Sequence, residues 1–494
     1  MTATSAETRR PIPDGWDRVA LALIPFGAVM LACVSTSATA LAESQPDVLL
    51  YFKDAALFAR GWLPYSGFPF EYPPLALVPM ALPWLAWPGG FPSVLDYEWL
   101  FAFQNALLAG LVGLMVGWIA AQRGSGAWSY RSLALWGLIA VIEAPVLAWR
   151  FDIAAVALAV LGVVLVLKGR PAFAGVALAV GTLVKVFPVA LVPVLFAWLL
   201  VRRDRGQAIR LAAGFAVAGA VLLGAVVLAV GVEPARQFLP YQQDRLVQIE
   251  SVMSSALLLV HTITRESVSV DYGYQSIQIV GAGTDQFLAI QDILMAVAIG
   301  GVGLLAYLRF RSERRAGADP ALATLLAYLA AAVLGLLVTN KVFSAQYLLW
   351  LLPLGVLLPR RQAGILVVVA ILSIVVFPLS YAQLFRLEVP AILTLAVRNT
   401  LLLGLLAWAL IRFRPIRRPA IAAAAADVGK ASKAAGTGVG PTTLPGALPD
   451  AGGSAVPAAV AGAGRAVVPG SSSLGAAAAD PPATASRSFT PPQT

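Results

Sequence analysis

The 494 residues include a single cysteine, Cys33, and a single histidine, His261. One cysteine forms no internal disulfide, and a zinc site needs several nitrogen or sulfur ligands, so structural zinc and His-rich centres are excluded. Any bound metal would have to be held by carboxylates; no metal and no cofactor is expected. Charge is scarce as well, at 12% of residues, against roughly 25% in a soluble domain. The chain also has no glycine-rich phosphate loop, no dinucleotide fingerprint and no nucleophile elbow. Nothing in it points to ATP or a sugar nucleotide bound on the cytoplasmic side.

What the chain has is apolar surface. It is 59% hydrophobic with a mean hydropathy of +0.81. Apolar runs near 19–42, 97–121, 131–149, 151–168, 172–184, 187–201, 209–232, 286–308, 320–338, 345–358, 363–380 and 391–411 are read as spans, since about twenty apolar residues cross a bilayer as helix. The expected fold is therefore all-α and polytopic, with about twelve transmembrane helices. The pair 172–184 and 187–201, broken at Lys185-Val186-Phe187-Pro188, reads as a helical hairpin that does not fully cross. The apolar stretch 75–90 carries Pro79, Pro83 and Pro88 and reads as re-entrant or interfacial. The formal charge of +10 does not indicate nucleic acid, because basic residues collect in the cytoplasmic loops of membrane proteins. The preference for Ala, Val, Leu and Gly, and for Arg over Lys, points to a GC-rich bacterial genome.

Arg202-Arg203-x-Arg205, Arg309-x-Arg311-x-x-Arg314-Arg315, Arg360-Arg361 and Arg412-x-Arg414 should face the cytoplasm. With both termini inside, two long extracytoplasmic loops follow, 43–96 and 233–285. The N-terminus resembles a signal peptide, with Arg9, Arg10 and Arg18 before an apolar stretch and Ala38-Thr39-Ala40-Leu41-Ala42 behind it. The apolar stretch is long enough to span, so an uncleaved anchor is expected. Residues 1–414 read as one transmembrane domain. Residues 415–494, rich in Ala, Gly, Pro and Ser, read as a disordered cytoplasmic tail.

On this topology five polar motifs reach the same side. The first is the segment from Asp47-x-x-x-Tyr51 through Gly61-x-x-Pro64-Tyr65 to Phe70-Glu71-Tyr72-Pro73-Pro74. Asp47, Asp54 and Glu71 are carboxylates at a lipid–water boundary, where one could accept a proton from a hydroxyl as a general base. Tyr51, Tyr65 and Tyr72 offer flat faces that suit sugar rings, although aromatic residues also populate membrane interfaces. The second is Arg150-Phe151-Asp152, seven residues beyond Glu143 on one helical face; a structural Glu143–Arg150 pair is the plainer reading. The third is Lys185, which either meets a lipid phosphate or snorkels to the interface. The fourth is 241–261, where, if the segment is helical, Arg245, Gln248 and Ser251 (or Arg245, Gln248 and Val252) share a face, Glu250 lies beside them and His261 follows. Arg245 suits a phosphate, and a lone histidine is more often structural than catalytic. The fifth is Asn340-Lys341-Val342-Phe343-Ser344-Ala345-Gln346-Tyr347, dense in hydrogen-bonding groups.

These motifs, with Gly175 ahead of Lys185-x-x-Pro188, Gln248-x-Glu250-Ser251 and Tyr347-x-x-Trp350, occur in an order that resembles glycosyltransferase family 87. That family comprises polyprenyl-phosphate-mannose-dependent α-mannosyltransferase-like proteins of actinobacteria. The similarity covers about residues 15–412. It implies a GT-C-like bundle, a polyprenyl-phosphate sugar donor, a glycolipid or cell-envelope glycan acceptor, and inverting transfer on the extracytoplasmic face of the plasma membrane. A first-loop acid would be the base, which maps to Asp47, with Asp54 the alternative. Lys341, Arg245, Lys185 and Gln346 would hold the donor phosphate. Tyr51, Tyr65, Tyr72, Glu71, Arg150, Asp152, Gln248, Glu250 and His261 would surround the substrates. A transporter or flippase of lipid-linked saccharides is the rival class. It would show two related halves, and no matching half accompanies the one broken hairpin.

Overall fold

Chain punctuation cuts the apolar sequence into helices of two kinds, long ones that set the frame and short ones that end at polar residues. The computed structural model describes residues 15–38, 46–123, 126–202, 204–274 and 276–415. The described residues all lie in the first, 1–432, of the two units into which the chain divides. The expected tail beyond Pro415 and the signal-peptide-like Thr39–Ala42 lie outside the described residues.

Helix α1 (Gly15–Ala38) leads to α2 (Pro46–Ala59), a three-ten turn at Pro74–Ala76, α3 (Leu77–Leu85) and α4 (Val94–Ala121). A capping box opens α4: Ser93 Oγ accepts from the Asp96 amide while the Asp96 carboxylate accepts from the Ser93 amide, which satisfies two otherwise orphaned donors. Next, α5 (Gly126–Ile142) breaks at Glu143 before the single turn α6 (Ala144–Leu147), and α7 (Asp152–Leu167) follows. α8 (Pro171–Val184) starts on a proline and ends where Lys185 turns extended. A three-ten turn at Phe187–Leu191 then feeds α9 (Val192–Val201), and α10 (Arg205–Val230) ends at Gly231, whose φ is 88°. That left-handed value suits glycine.

Seven helical stretches among the described residues are long and apolar enough to cross a membrane alone, four of them in the second half of the chain. The other expected runs are helical but shorter. The 16 residues of α7 rise only about 24 Å, less than the ~30 Å hydrocarbon core. These short helices gather where the cavity described below is built. α8 and α10 approach unusually closely: a Cβ on Gly175 would lie 2.2 Å from the Leu211 carbonyl, and one on Gly214 2.2 Å from that of Ala172. Small residues at both positions let the backbones touch.

The segment 75–90 is a turn plus the nine-residue α3, too short to span. It is pinned by the Tyr97 hydroxyl, which donates to the Met80 carbonyl at 2.8 Å, and by Gln104, which donates to Pro79 at 2.9 Å.

The second long loop is a folded layer. It contains α11 (Val232–Arg236), α12 (Phe238–Gln243), β1 (Val247–Gln248), α13 (Val252–Thr264), β2 (Ser269–Gly273) and β3 (Ser276–Val280). The strands form an antiparallel sheet in the order β1-β3-β2, with Val247 opposite Ile279 and Tyr272 opposite Ile277. Val247, Ile249, Leu258, Ile277 and Ile279 are buried in one cluster with Val376, Leu384, Ile392 and Leu395 of the later helices. Those later elements are α14 (Thr284–Arg315), α15 (Leu322–Thr339), α16 (Leu348–Gly355), α17 (Arg360–Ile374), α18 (Tyr381–Phe385) and α19 (Val389–Arg412).

Candidate functional site

α7 and α14 begin, and α8 and α15 end, around one cavity of about 390 Å³. The opposite ends of these helices carry Lys168, Arg170 and Arg309 to Arg315. Eight of the expected site residues line the cavity: Asp47, Tyr51, Glu71, Tyr72, Lys185, Arg245, Lys341 and Gln346.

Asp47 lies in the first turn of α2 and is ion-paired with Arg150. Arg150 is buried, and its own carbonyl accepts from Asn105 at 3.1 Å. The expected Glu143–Arg150 pair is not what forms. Glu143 sits in the kink between α5 and α6, fully buried, and neither carboxylate oxygen has a hydrogen-bond partner. The break at Glu143 ends the helical register, so the seven-residue spacing no longer brings the two side chains together.

Lys185 owes its place to the end of α8. Its ammonium lies 3.6 Å from Asp152 Oδ2 and over three rings, 4.7 Å from Phe151, 5.4 Å from Tyr72 and 5.4 Å from Tyr347. Ring faces attract a cation, so a charge that would otherwise snorkel away is kept in the cavity wall. Asp152 also accepts from the Trp350 indole at 2.8 Å. Trp350 stacks between Phe187 and Tyr347, with centroids 4.8 Å and 4.0 Å away. That stack is the physical content of the Lys185-x-Phe187 and Tyr347-x-x-Trp350 spacings.

Lys341 follows the end of α15. Its Nζ donates to the Gln243 carbonyl at 2.6 Å, and its amide donates to Gln291 Oε1 at 3.3 Å. Burial and nearby Arg245 pull its ammonium below the ordinary lysine value, against the opposing pull of Asp292 and Asp244. Arg245 Nη2 donates to Ser276 Oγ at 3.2 Å. The sheet thus holds Arg245 at the cavity wall.

Four expected site residues stand behind the wall. Arg150 and Asp152 act on Asp47 and Lys185 as described. Gln248 donates from its amide to the Lys341 carbonyl at 2.9 Å and from Nε2 to Ser344 Oγ at 2.5 Å. Glu250 pairs with Arg398 at 3.2 Å. Two others are away from the cavity. Tyr65 is buried with φ of 69°, and its hydroxyl donates to the Tyr72 carbonyl at 2.6 Å, so it braces the loop. His261 lies in the last turn of α13 with Nδ1 2.6 Å from the Glu266 carbonyl. The length of α13 carries it off the cavity.

Asp54 opens onto a neighbouring cavity of about 590 Å³. Glu71, Tyr241 and Tyr274 line both cavities and form the partition. Burial, reinforced by the charge of Glu71 and opposed by Lys53, pushes the Asp54 carboxyl up to about 7. Burial and a hydrogen bond to Glu71 push the Tyr241 hydroxyl up as well.

Sequence reading passed over Gln291, Asp292 and the Arg398-Asn399 pair. Gln291 and Asp292 line the cavity from the start of α14. Each lies inside a run otherwise read as apolar, and that interruption was the available signal.

Helices of membrane length and a cavity at their ends that Asp47, Lys185, Arg245 and Lys341 line define an integral membrane protein with a charged candidate site. The chain belongs to glycosyltransferase family 87, whose profile matches residues 70–339. It is a membrane glycosyltransferase, with a sugar donor and an acceptor as its substrates. The matched stretch holds Glu71, Tyr72, Lys185 and Arg245, while Asp47 precedes it and Lys341 and Gln346 follow it. A search of curated proteins found no match.

Proposed function

We propose that the enzyme transfers a sugar, mannose by its resemblance, from a polyprenyl-phosphate donor to a lipid-linked or cell-envelope glycan acceptor. The observation that carries this reading is the meeting of Asp47 with Lys185, Arg245 and Lys341 in one cavity at the end of a membrane bundle. Such a site fits a bacterial plasma membrane with the cavity on the extracytoplasmic side and both termini in the cytoplasm.

The chemistry is a single displacement. An acceptor hydroxyl gives its proton to the Asp47 carboxylate as its oxygen bonds to the anomeric carbon. The bond from that carbon to the phosphate oxygen breaks, and polyprenyl phosphate leaves with the electron pair. Attack opposite the leaving group inverts the anomeric centre. Arg150 orients the carboxylate through their ion pair. Lys341, Arg245 and Lys185 face the charge that grows on the leaving phosphate, where fixed positive charge lowers the barrier most. Gln346 is a further polar contact for that group. Tyr51 and Tyr72 offer ring faces for the sugar. Val186, Met295 and Leu336 give the cavity an apolar side, which suits the first prenyl units. The neighbouring cavity at Asp54, reached past Glu71 and Tyr241, suits the incoming glycan. No step in this scheme calls on a metal or a cofactor.

Purified enzyme in proteoliposomes should transfer label from polyprenyl-phosphate mannose to envelope glycolipid and none from a nucleotide sugar. Transfer from the nucleotide sugar alone would sink the proposed donor class.

A further inference from the structure

Arg398 and Asn399 interrupt the apolar helix α19, and both side chains are buried. A charge at such depth is expensive and usually has a task. Arg398 Nη1 lies 3.2 Å from Glu250 Oε2, its Nη2 donates to the Glu250 carbonyl at 2.5 Å, and its Nε donates to Asn399 Oδ1 at 3.0 Å. Asn399 Nδ2 donates to the carbonyls of Glu250 and Ser251 at 3.2 and 3.1 Å and to Ser255 Oγ at 2.5 Å. Two neighbouring side chains therefore converge on Glu250 and the residues that follow it, through both backbone carbonyls and side chains.

The turn at Glu250 is tied directly to the cavity wall. Gln248 reaches the Lys341 carbonyl and the Ser344 hydroxyl. The Arg398 guanidinium also lies 4.5 Å over the ring of Phe343, between these two contacts in sequence. Lys341 and Ser344 both line the cavity. Stability alone gives weak grounds for such a pair, because buried ion pairs can often be exchanged for apolar residues at little cost. What an apolar pair would not supply is a fixed direction for the turn.

We propose that Arg398 is a positioning residue: through Glu250 and the Gln248–Ser251 turn it holds the Lys341–Ser344 wall in the geometry that grips the phosphate of a polyprenyl phosphate. The inference rests on the donor reading given above. Arg398 itself touches no substrate.

The test measures binding of decaprenyl phosphate, the leaving group, by quenching of tryptophan fluorescence in detergent-solubilised full-length protein. Arg398→Lys keeps the charge and loses the two-pronged grip. It should raise the dissociation constant about tenfold while melting near the wild-type temperature. Glu250→Gln, isosteric and cutting the same tie from the other side, should do likewise and serves if the lysine variant does not fold. In a Lys341→Met background the effect of Arg398→Lys should shrink to less than about twofold, because coupled residues are not additive. Unchanged affinity in both single variants, or the same tenfold loss with and without Lys341, would overturn the inference. Wild-type protein that binds no decaprenyl phosphate would overturn it together with the donor reading. Protein that binds decaprenyl phosphate through Arg398 yet transfers no sugar would leave the inference standing and remove only the proposed reaction.

Discussion

At the scale of single residues, Asp47 and Lys341 were legible because each interrupts or flanks an apolar run, where a charge is costly enough to need a reason. Asp47→Asn keeps shape and loses the proton acceptor. We expect kcat to fall about 10²- to 10⁴-fold with donor affinity little changed, the range for a lost general base. Single-turnover assays would check this. Lys341→Met should lower kcat/KM for the donor by about 10²-fold, as removal of a transition-state cation does. Asp54 offers a separate test through pH. Its carboxyl is pushed up to about 7, above the ~3.9 of an unfolded chain, so the folded protein binds this proton more tightly. That contribution to stability is complete below about pH 4 and is lost as the pH rises through 7. The melting temperature of Asp54→Asn should lack this part of the decline. An identical pH profile in the variant would refute the assignment. Arg398, Asn399, Gln291 and Asp292 were passed over, because hydropathy averages over a window and lets one or two polar residues vanish into a span, although their interruption of the run was there to be read.

At the scale of elements, the long helices follow directly from apolar length. The short ones needed more. α7 starts at Asp152, α8 stops at Lys185 and α9 starts after the turn before Val192 because the residues at these boundaries serve the cavity, and propensity has no knowledge of that. The sheet was also hidden. Ser276-Ile277-Gln278-Ile279-Val280 alternates as a strand should, but β1 has two residues and gains its register only from β3. The contact of α8 with α10 gives a prediction at this scale. Gly175→Ala would press a methyl group against the Leu211 carbonyl, a backbone atom that cannot swing away. We expect a loss of about 1–3 kcal/mol, seen as a lower melting temperature in detergent. Gly219→Ala, on the same α10 with nothing within 4 Å of the added carbon, should show no such loss.

At the scale of the whole molecule, the proposed orientation sets the loop of Ser267 outside and that of Ala318 in the cytoplasm. In a Cys33→Ala background, Ser267→Cys should react with an impermeant maleimide on intact cells, and Ala318→Cys only after permeabilisation. The reverse pattern would turn the enzyme over in its membrane. Sequence alone brought the five polar motifs to one side through the distribution of arginines. It could not place Tyr65 and His261 off the cavity, because both lie in the right loops and only the packing of α13 and the left-handed turn at Tyr65 decide their direction. Cation placement is the centre of the functional account, and a structure with polyprenyl phosphate bound tests it most directly. The phosphate should lie within hydrogen-bonding distance of Lys341 and Arg245, beside Lys185, with Asp47 across the space where a sugar would stand. A phosphate seated at the opposite end of the bundle, with these side chains untouched, would contradict it.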